Sequence, residues 1–271
     1  MKIIITIFLI NVAVSTYAQI DTSVFKKRYN VFNPTPNYLM REFSTDRPDA
    51  TESPCTVDAG HFQIETDLFK TEHFNIAGVT TRNNFFNVTN LKIGITNSLD
   101  LQMAVNCVAV SIRTNATSKM KTSGFGGLTL RAKQNLWGND GGQTALAILP
   151  YINIPTKNDN RFSGGILIPV SVSLTHGWEF GSQVGVDIGQ TNGYYFDFLS
   201  SANLSHSLFE NFKFFAEGVL CRNSEFKTYE YFLDGGFVFA LSSEIHIDTG
   251  IFYGLKSISP TTYFLGASFR F

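Results

Sequence analysis

Charged side chains recur at regular intervals in segments that otherwise alternate apolar and polar residues. The acids are Glu65, Asp67, Asp100, Asp187, Asp197, Glu217, Glu230, Asp234 and Asp248; the bases are Lys92, Arg131, Lys133, Lys213 and Arg270. If these groups face one confined interior, the excess of carboxylates concentrates cations where screening by water is poor. The competing outcome is an internal network of ion pairs that fills and stiffens that interior. Arg131, Lys133, Asp187, Glu217, Glu230, Asp234 and Asp248 are the candidate lining residues under either outcome. Covalent chemistry has less support. The chain holds no H-E-x-x-H, Walker loop, G-x-G-x-x-G or G-x-S-x-G. Ser23-Val24-Phe25-Lys26 fits S-x-x-K, a match that chance explains. His176 and His206, near Ser173 and Ser207, fall in or next to turns. A hydrolase there would need a third orienting group, and solvated turn histidines are the simpler reading. His246 and Asp248 could pair or could join the interior network. No spacing suggests a metal site, and no cofactor is expected. The cysteines Cys55, Cys107 and Cys221 form no C-x-x-C and no complete disulfide framework; one bridge is open and is not predicted.

The elements that carry these groups are strands. From Gly60 onward the hydrophobic period is two. Twelve strands are predicted, near 60–72, 84–95, 98–108, 125–137, 143–154, 164–174, 178–189, 194–205, 211–221, 227–240, 244–254 and 262–271. Each has about the 9–11 residues that carry a tilted strand across a bilayer. The charges set the phase, because a Lys or Arg facing lipid at mid-bilayer costs about 2–4 kcal/mol. Leu99, Leu101, Met103, Val105 and Cys107 therefore face out. So do Trp178, Phe180, Val184, Val186 and Ile188, and Ile245, Ile247, Ile251 and Tyr253. The 143–154 segment is ambiguous between Leu146, Ile148, Ile152, Ile154 and the opposite set Ala145, Ala147, Leu149, Tyr151. Short turns at 96–97, 175–177 and 242–243 alternate with longer polar loops at 73–83, 109–124 and 155–163, as in outer-membrane barrels.

Only 16% of residues are charged, against roughly 25% in an ordinary soluble domain. The net charge of −1 gives no reason to expect a nucleic-acid partner. Residues 1–18 read as a secretory signal peptide: a basic start at Met1-Lys2, an apolar run over Ile3–Val14, and a cleavage site after Ala18. Residues 19–59 read as a polar periplasmic arm interrupted by Pro34, Pro36, Pro48 and Pro54. Arg47, Asp46 and Asp49 in it either fold into the lumen or anchor the arm near the turns. The last strand ends in Phe269 and Phe271 with Gly266 five positions before the terminus. This is the pattern of an outer-membrane assembly signal, although Phe264 stands where a polar residue is usual. The fold class is thus an all-β, antiparallel up-and-down transmembrane β-barrel over 60–271. A secreted β-sandwich is the alternative.

Several segments resemble a known family. They are Thr45-Asp46-Arg47-Pro48-Asp49-Ala50-Thr51-Glu52-Ser53-Pro54 with Gly60-His61-Phe62-Gln63-Ile64-Glu65, then Lys92-Ile93-Gly94-Ile95-Thr96 with Leu99-Asp100-Leu101. Gly124-Phe125-Gly126-Gly127-Leu128 leads to Lys133, and Ile154-Pro155-Thr156 and Gly177-Trp178-Glu179-Phe180-Gly181 follow. Together they are similar to the family of the MetA-pathway of phenol degradation, a group of outer-membrane barrels often called transporters. The resemblance runs over about residues 44–271. The family commonly has Gly-Asp-Leu where this chain has Gly126-Gly127-Leu128, and Gly after Pro-Thr where it has Lys157. No carboxylate role at 127 carries over. The resemblance implies a Gram-negative outer-membrane location and uptake of small solutes, aromatic or hydrophobic ones among them. The expected function is passage of a small solute, without enzymatic activity. The alternatives are a barrel-embedded lipid- or lipopolysaccharide-modifying hydrolase and a closed structural or surface-interaction barrel. Expected partners are outer-membrane lipid, the barrel assembly machinery and the solute.

Overall fold

A computed structural model describes residues 28–154, 162–190, 194–224, 227–256 and 259–271. The predicted signal peptide and the S-x-x-K match lie outside these residues. The strands are β1 (Phe62–Ile76), β2 (Val79–Thr96), β3 (Leu99–Thr114), β4 (Lys119–Gly124), β5 (Gly127–Trp137), β6 (Thr144–Ile154), β7 (Ser163–Ser173), β8 (Trp178–Gln190), β9 (Tyr194–Phe209), β10 (Phe212–Asn223), β11 (Thr228–Ser242), β12 (Ile245–Gly254) and β13 (Thr261–Arg270). All pair antiparallel with chain neighbours, and β1 pairs with β13 to close the ring. Lipid offers no partner to a backbone N–H or C=O, so closure is the way a sheet crosses a bilayer without exposed edges.

β4 and β5 are one interrupted wall strand. β4 pairs with the distal half of β3, from Ala109 opposite Gly124 to Thr114 opposite Lys119. β5 pairs with the proximal half, from Leu99 opposite Gln134 to Asn106 opposite Gly127. The thirteen-stranded sheet is therefore a barrel of 12 strand positions. The break falls at Phe125-Gly126, and Gly127 has φ +145°, a backbone conformation that favours glycine.

The segments 73–83 and 109–124, expected as loops, are largely strand. β1 and β2 run to a tight turn at Ala77-Gly78, and β3 and β4 to a turn at 115–118. The polar composition that suggested loops belongs to a hairpin wall that runs through the outer rim of the apolar belt and on past it.

A second departure from uniform alternation lies at the base of those hairpins. Leu68 and Phe69 are both exposed, as are Cys107 and Val108, and Asn87 has φ +54°. A bulge between Asp67 and Phe69 shifts the β1–β13 register. Asp67, Val88 and Asn106 face in below this level. Above it, Phe69, Phe86 and Val108 face out while Lys70, Phe85 and Ala109 face in. The same extra residue in three adjacent strands preserves their mutual pairing while exchanging their faces.

Elsewhere the phase agrees with the charge-based expectation. In β6, Ala145, Ala147 and Leu149 are buried toward the interior, with Tyr151 on the same face. The three cysteines are free.

Phase in β8 is directly testable. Val184, at the centre of the strand and facing out, should lose about 2–4 kcal/mol of folding stability when changed to Arg. Asp187→Asn keeps an acceptor for Tyr151 Oη, which lies 2.7 Å from the carboxylate, and should cost no more than about 1 kcal/mol. Urea titration of the two variants in lipid vesicles reads the difference, and equal losses would refute the register.

Candidate functional site

The interior of this barrel is occupied by its own chain. The arm preceding β1 enters at the end that carries the short turns, which in outer-membrane barrels faces the periplasm. Its first part seals that mouth. Val31 N donates to the Ile95 carbonyl at 2.9 Å and Thr35 N to the Ala59 carbonyl at 2.9 Å. His61 sits with Nε2 2.7 Å from the Thr35 carbonyl oxygen and Nδ1 3.0 Å from that of Phe271. Arg41 bonds Asp58 at 3.1 Å and Asp140 at 3.5 Å. Phe43 stacks against His246, ring centroids 4.6 Å apart.

Residues 46–57 then circle the lumen. Asp46 accepts from Lys92 at 2.5 Å and from Lys133, while its own N–H points at Glu65, 3.1 Å from both carboxylate oxygens. Asp46 also accepts from Ser53 N at 3.0 Å, which closes 46–53 into a compact loop. Arg47 donates to Asp67 at 2.6 Å and to Asp248 at 2.7 and 3.1 Å. On the opposite wall Asp49 accepts from Asn203. Ala50 N and Thr51 Oγ1 donate to Glu217 at 2.7 and 2.5 Å. Glu52 returns to Arg131, and Glu52 N donates to Gln183 at 3.1 Å. Asn135 donates to the Pro54 carbonyl at 2.9 Å, and Val57 N to Asp100 at 3.0 Å. Strands on all sides of the lumen thus hold one short loop.

Each predicted lining residue has a definite place here. Arg131, Lys133, Glu217 and Asp248 bind the arm. Asp234 stands opposite Glu217, and neither of its buried carboxylate oxygens has a hydrogen-bond partner among the described residues. Asp187 and Glu230 lie further toward the distal end, opposite Asp197 and Cys221 respectively. Glu217 and Asp234 are neighbours; Glu230 is not part of that pair. His246 and Asp248 do not bond each other: Asp248 belongs to Arg47. His206 is stacked on Trp178 at 4.5 Å, with Nδ1 3.1 Å from the Gly177 carbonyl oxygen. Phe269 faces out, and Phe271 exchanges backbone hydrogen bonds with Phe62 at 2.9 and 3.1 Å. Gly266 lies directly under the Arg47 guanidinium, where a Cβ would overlap it. Thr51, Glu52, Gln183 and Asn203 were missed as site residues. For Thr51 and Glu52 the sequence signal was the density of acidic and small polar residues between Pro48 and Pro54; for Gln183 and Asn203 it was their inward phase on β8 and β9.

Burial alone would raise the Asp46 carboxyl, but Lys133 and Lys92 outweigh it and hold it well below its usual range. Glu52 goes the other way: burial, opposed by Arg131, pushes it up to about 7. Asp49 is also raised, by burial and then by the charge of Glu217.

Distal to the arm, the break between β4 and β5 opens a cavity of about 430 Å³. Its lining includes the inward-facing Ala104, Asn106, Thr129 and Asn153. It also includes Val105, Leu128 and Ile154, which lie on the outward face of the same strands. Among the described residues, β4 has no strand on its second edge. The cavity lies at this notch in the wall of the described strands.

A closed barrel with a lipid-facing belt, a charged interior and a folded-in arm defines an outer-membrane β-barrel. Residues 45–271 match the family described as "Putative MetA-pathway of phenol degradation". The chain belongs to that family. Among solved structures it is similar to the COG4313 outer membrane channel from Pseudomonas putida F1, with TM-score 0.55 and 12% identity over 84% of this chain and 100% of that one. It is also similar to the KdgM porin in complex with disordered oligogalacturonate, with TM-score 0.51 and 8% identity over 77% of this chain and 99% of that one. At these identities the likeness is one of fold. No curated protein matches the chain.

Removing one partner from a buried ion cluster leaves the others uncompensated, at a cost of about 3–5 kcal/mol. Arg47→Ala should therefore release the arm, and Gly266→Ala should do so by displacing the guanidinium. Limited proteolysis within residues 46–57 reads both. The pH dependence has a defined sign. Glu52 rises from 4.5 in the free arm to about 7 when docked, so the docked arm holds a proton that the released arm gives up between those values. Its contribution to docking is full below about pH 4.5 and is lost as pH rises through 7. Proteolysis of the wild type should accelerate as pH rises from about 4.5 to 7 and level off above that, and Glu52→Gln should flatten that slope.

Proposed function

We propose that this barrel passes a small apolar solute from the distal half of its lumen sideways through the wall, at the notch between β4 and β6. The observation that carries this reading is the lining of the cavity by both faces of the same strands. The charged arm supports it. Ion pairs and hydrogen bonds from strands all around the lumen hold residues 46–57 across the axial route. An apolar molecule gains little from a path lined by Lys92, Lys133, Asp67 and Asp248. The notch instead offers Val105, Leu128 and Ile154 beside a few polar groups such as Asn106, Asn153 and Tyr195. That mixture suits a ring bearing one polar substituent, in keeping with the phenol in the family's description. A solute leaving there meets hydrocarbon directly and never crosses the ion-pair network. No covalent step and no cofactor enter this scheme.

Ala104→Trp places an indole in the notch from the lumen side. Uptake of phenol by cells relying on this barrel should fall at least fivefold, while the protein still folds and stays in the outer membrane. Arg47→Ala should leave phenol uptake within twofold of wild type and raise small-ion conductance in planar bilayers. Axial passage would give the reverse result: unchanged uptake with Ala104→Trp and a large rise with Arg47→Ala.

A further inference from the structure

Outward-facing charges on this barrel have one sign and one location. Following the register around the described strands, no Asp or Glu faces out. The outward cations are Arg82 on β2, Lys119 and Lys121 on β4, and Arg222 on β10, all at the distal end. Arg222 lies over the Tyr229 ring, 6.0 Å from its centroid. The other three form a cluster. Arg82 pairs with Ile112 of β3, and Ile112 pairs with Lys121, so the two cations flank one isoleucine in a single cross-strand row. Two strand spacings put them about 10 Å apart at the backbone. Lys119 stands two residues further along β4, about 7 Å away. His73 adjoins Arg82 on β1.

The level of this row is set by the apolar belt. On β3 the outward residues are Leu101, Met103 and Val105, then, past the face exchange, Val108, Val110 and Ile112. Leu101 to Ile112 spans roughly 37 Å along the strand, or about 28 Å along the membrane normal at a tilt of about 40°, close to the apolar height of such barrels. Ile112 is the last member before Thr114. Arg82 and Lys121 therefore stand at the outer rim of the belt, at headgroup depth.

Among the described residues, none forms an ion pair with them. The acid on the neighbouring strand at this level, Glu72, faces in, lies 3.6 Å from Lys70 and accepts from Asn83. Three exposed cations without an ion-pair partner among the described residues, beside a lipid-facing surface, match anionic headgroups. The outer leaflet of an outer membrane supplies such groups as the phosphates of lipopolysaccharide.

We propose that Arg82, Lys119 and Lys121 form a docking patch for the phosphates of lipid A on the outer wall of the β2–β3–β4 hairpins. The face exchange at Leu68, Asn87 and Cys107 is what turns these three side chains outward; without it their rows would point into the lumen. The patch adjoins the notched part of the wall, but its existence is independent of the route the solute takes.

The test uses the full-length barrel in detergent, titrated with bis-phosphorylated lipid A, with bound lipid counted by native mass spectrometry. For the wild type, half-saturation should occur at least tenfold lower than for R82Q/K119Q/K121Q. The variant should keep its heat-modifiable gel mobility. R222Q should bind like wild type, and dephosphorylated lipid A should bind wild type and triple variant equally weakly. Equal half-saturation of wild type and triple variant would overturn the proposal. So would equal binding of dephosphorylated lipid A and bis-phosphorylated lipid A to the wild type, or full competition by phosphatidylglycerol at equal concentration. Should the triple variant fail to fold, K119Q, beyond the belt, must by itself weaken binding at least threefold.

Discussion

Ionised groups enclosed by a lipid-bounded wall must find their counter-charges within the protein. Arg47 with Asp67 and Asp248, and Asp46 with Lys92 and Lys133, meet that requirement in the centre of the barrel. Lys92 already has the wall carboxylate Glu65 as a partner, but Lys133, Asp67 and Asp248 find their ion-pair partners on the arm. Asp67 and Asp248 are two acids facing one another across β13, and Lys92 and Lys133 are two bases within reach of a single carboxylate. The arm brings the opposite charge to both. Residues 46–57 therefore complete the charge balance of Lys133, Asp67 and Asp248. The glycine at 266 leaves room for the guanidinium, and Asp46 binding Ser53 N keeps the loop narrow enough to fit.

The rest of the interior follows from that loop. A small barrel normally fills its lumen with side chains from the wall. Here the arm fills the proximal half, and the distal half keeps space. The interruption between β4 and β5 lies beside that space. Gly126 packs against the Asn106 side chain, and Gly127 takes a backbone conformation open to few other residues, so the wall strand steps aside without losing β3 as its partner. Breaking a wall strand leaves polar backbone without a neighbour, which lipid does not forgive. The break sits where a polar, water-accessible cavity lies behind it.

Much of this was legible from residue order. The fold class, the outward faces of β8 and β12 and the inward placement of Lys133 and Asp248 follow from period two combined with the cost of charge in lipid, a rule that acts on each strand separately. The same rule failed above Leu68, Asn87 and Cys107. One extra residue reverses the faces while leaving local composition almost unchanged, and the polar hairpins beyond it read as loops. Likewise, Gly126-Gly127 looks like a weak spot in a strand until β3 is seen to pair with β4 on one side of it and β5 on the other.

Sequence by itself determined the solvent: alternating strands, few charges and an aromatic terminal strand admit a barrel in a membrane and little else. Tertiary structure decided what the interior is for. Arg47 and Asp248 are 201 positions apart, as are many of the pairs that close the lumen. No local pattern specifies which distant acid meets which base. Only closure of the ring, which places β1, β2, β5 and β12 around one short loop, makes those charges neighbours.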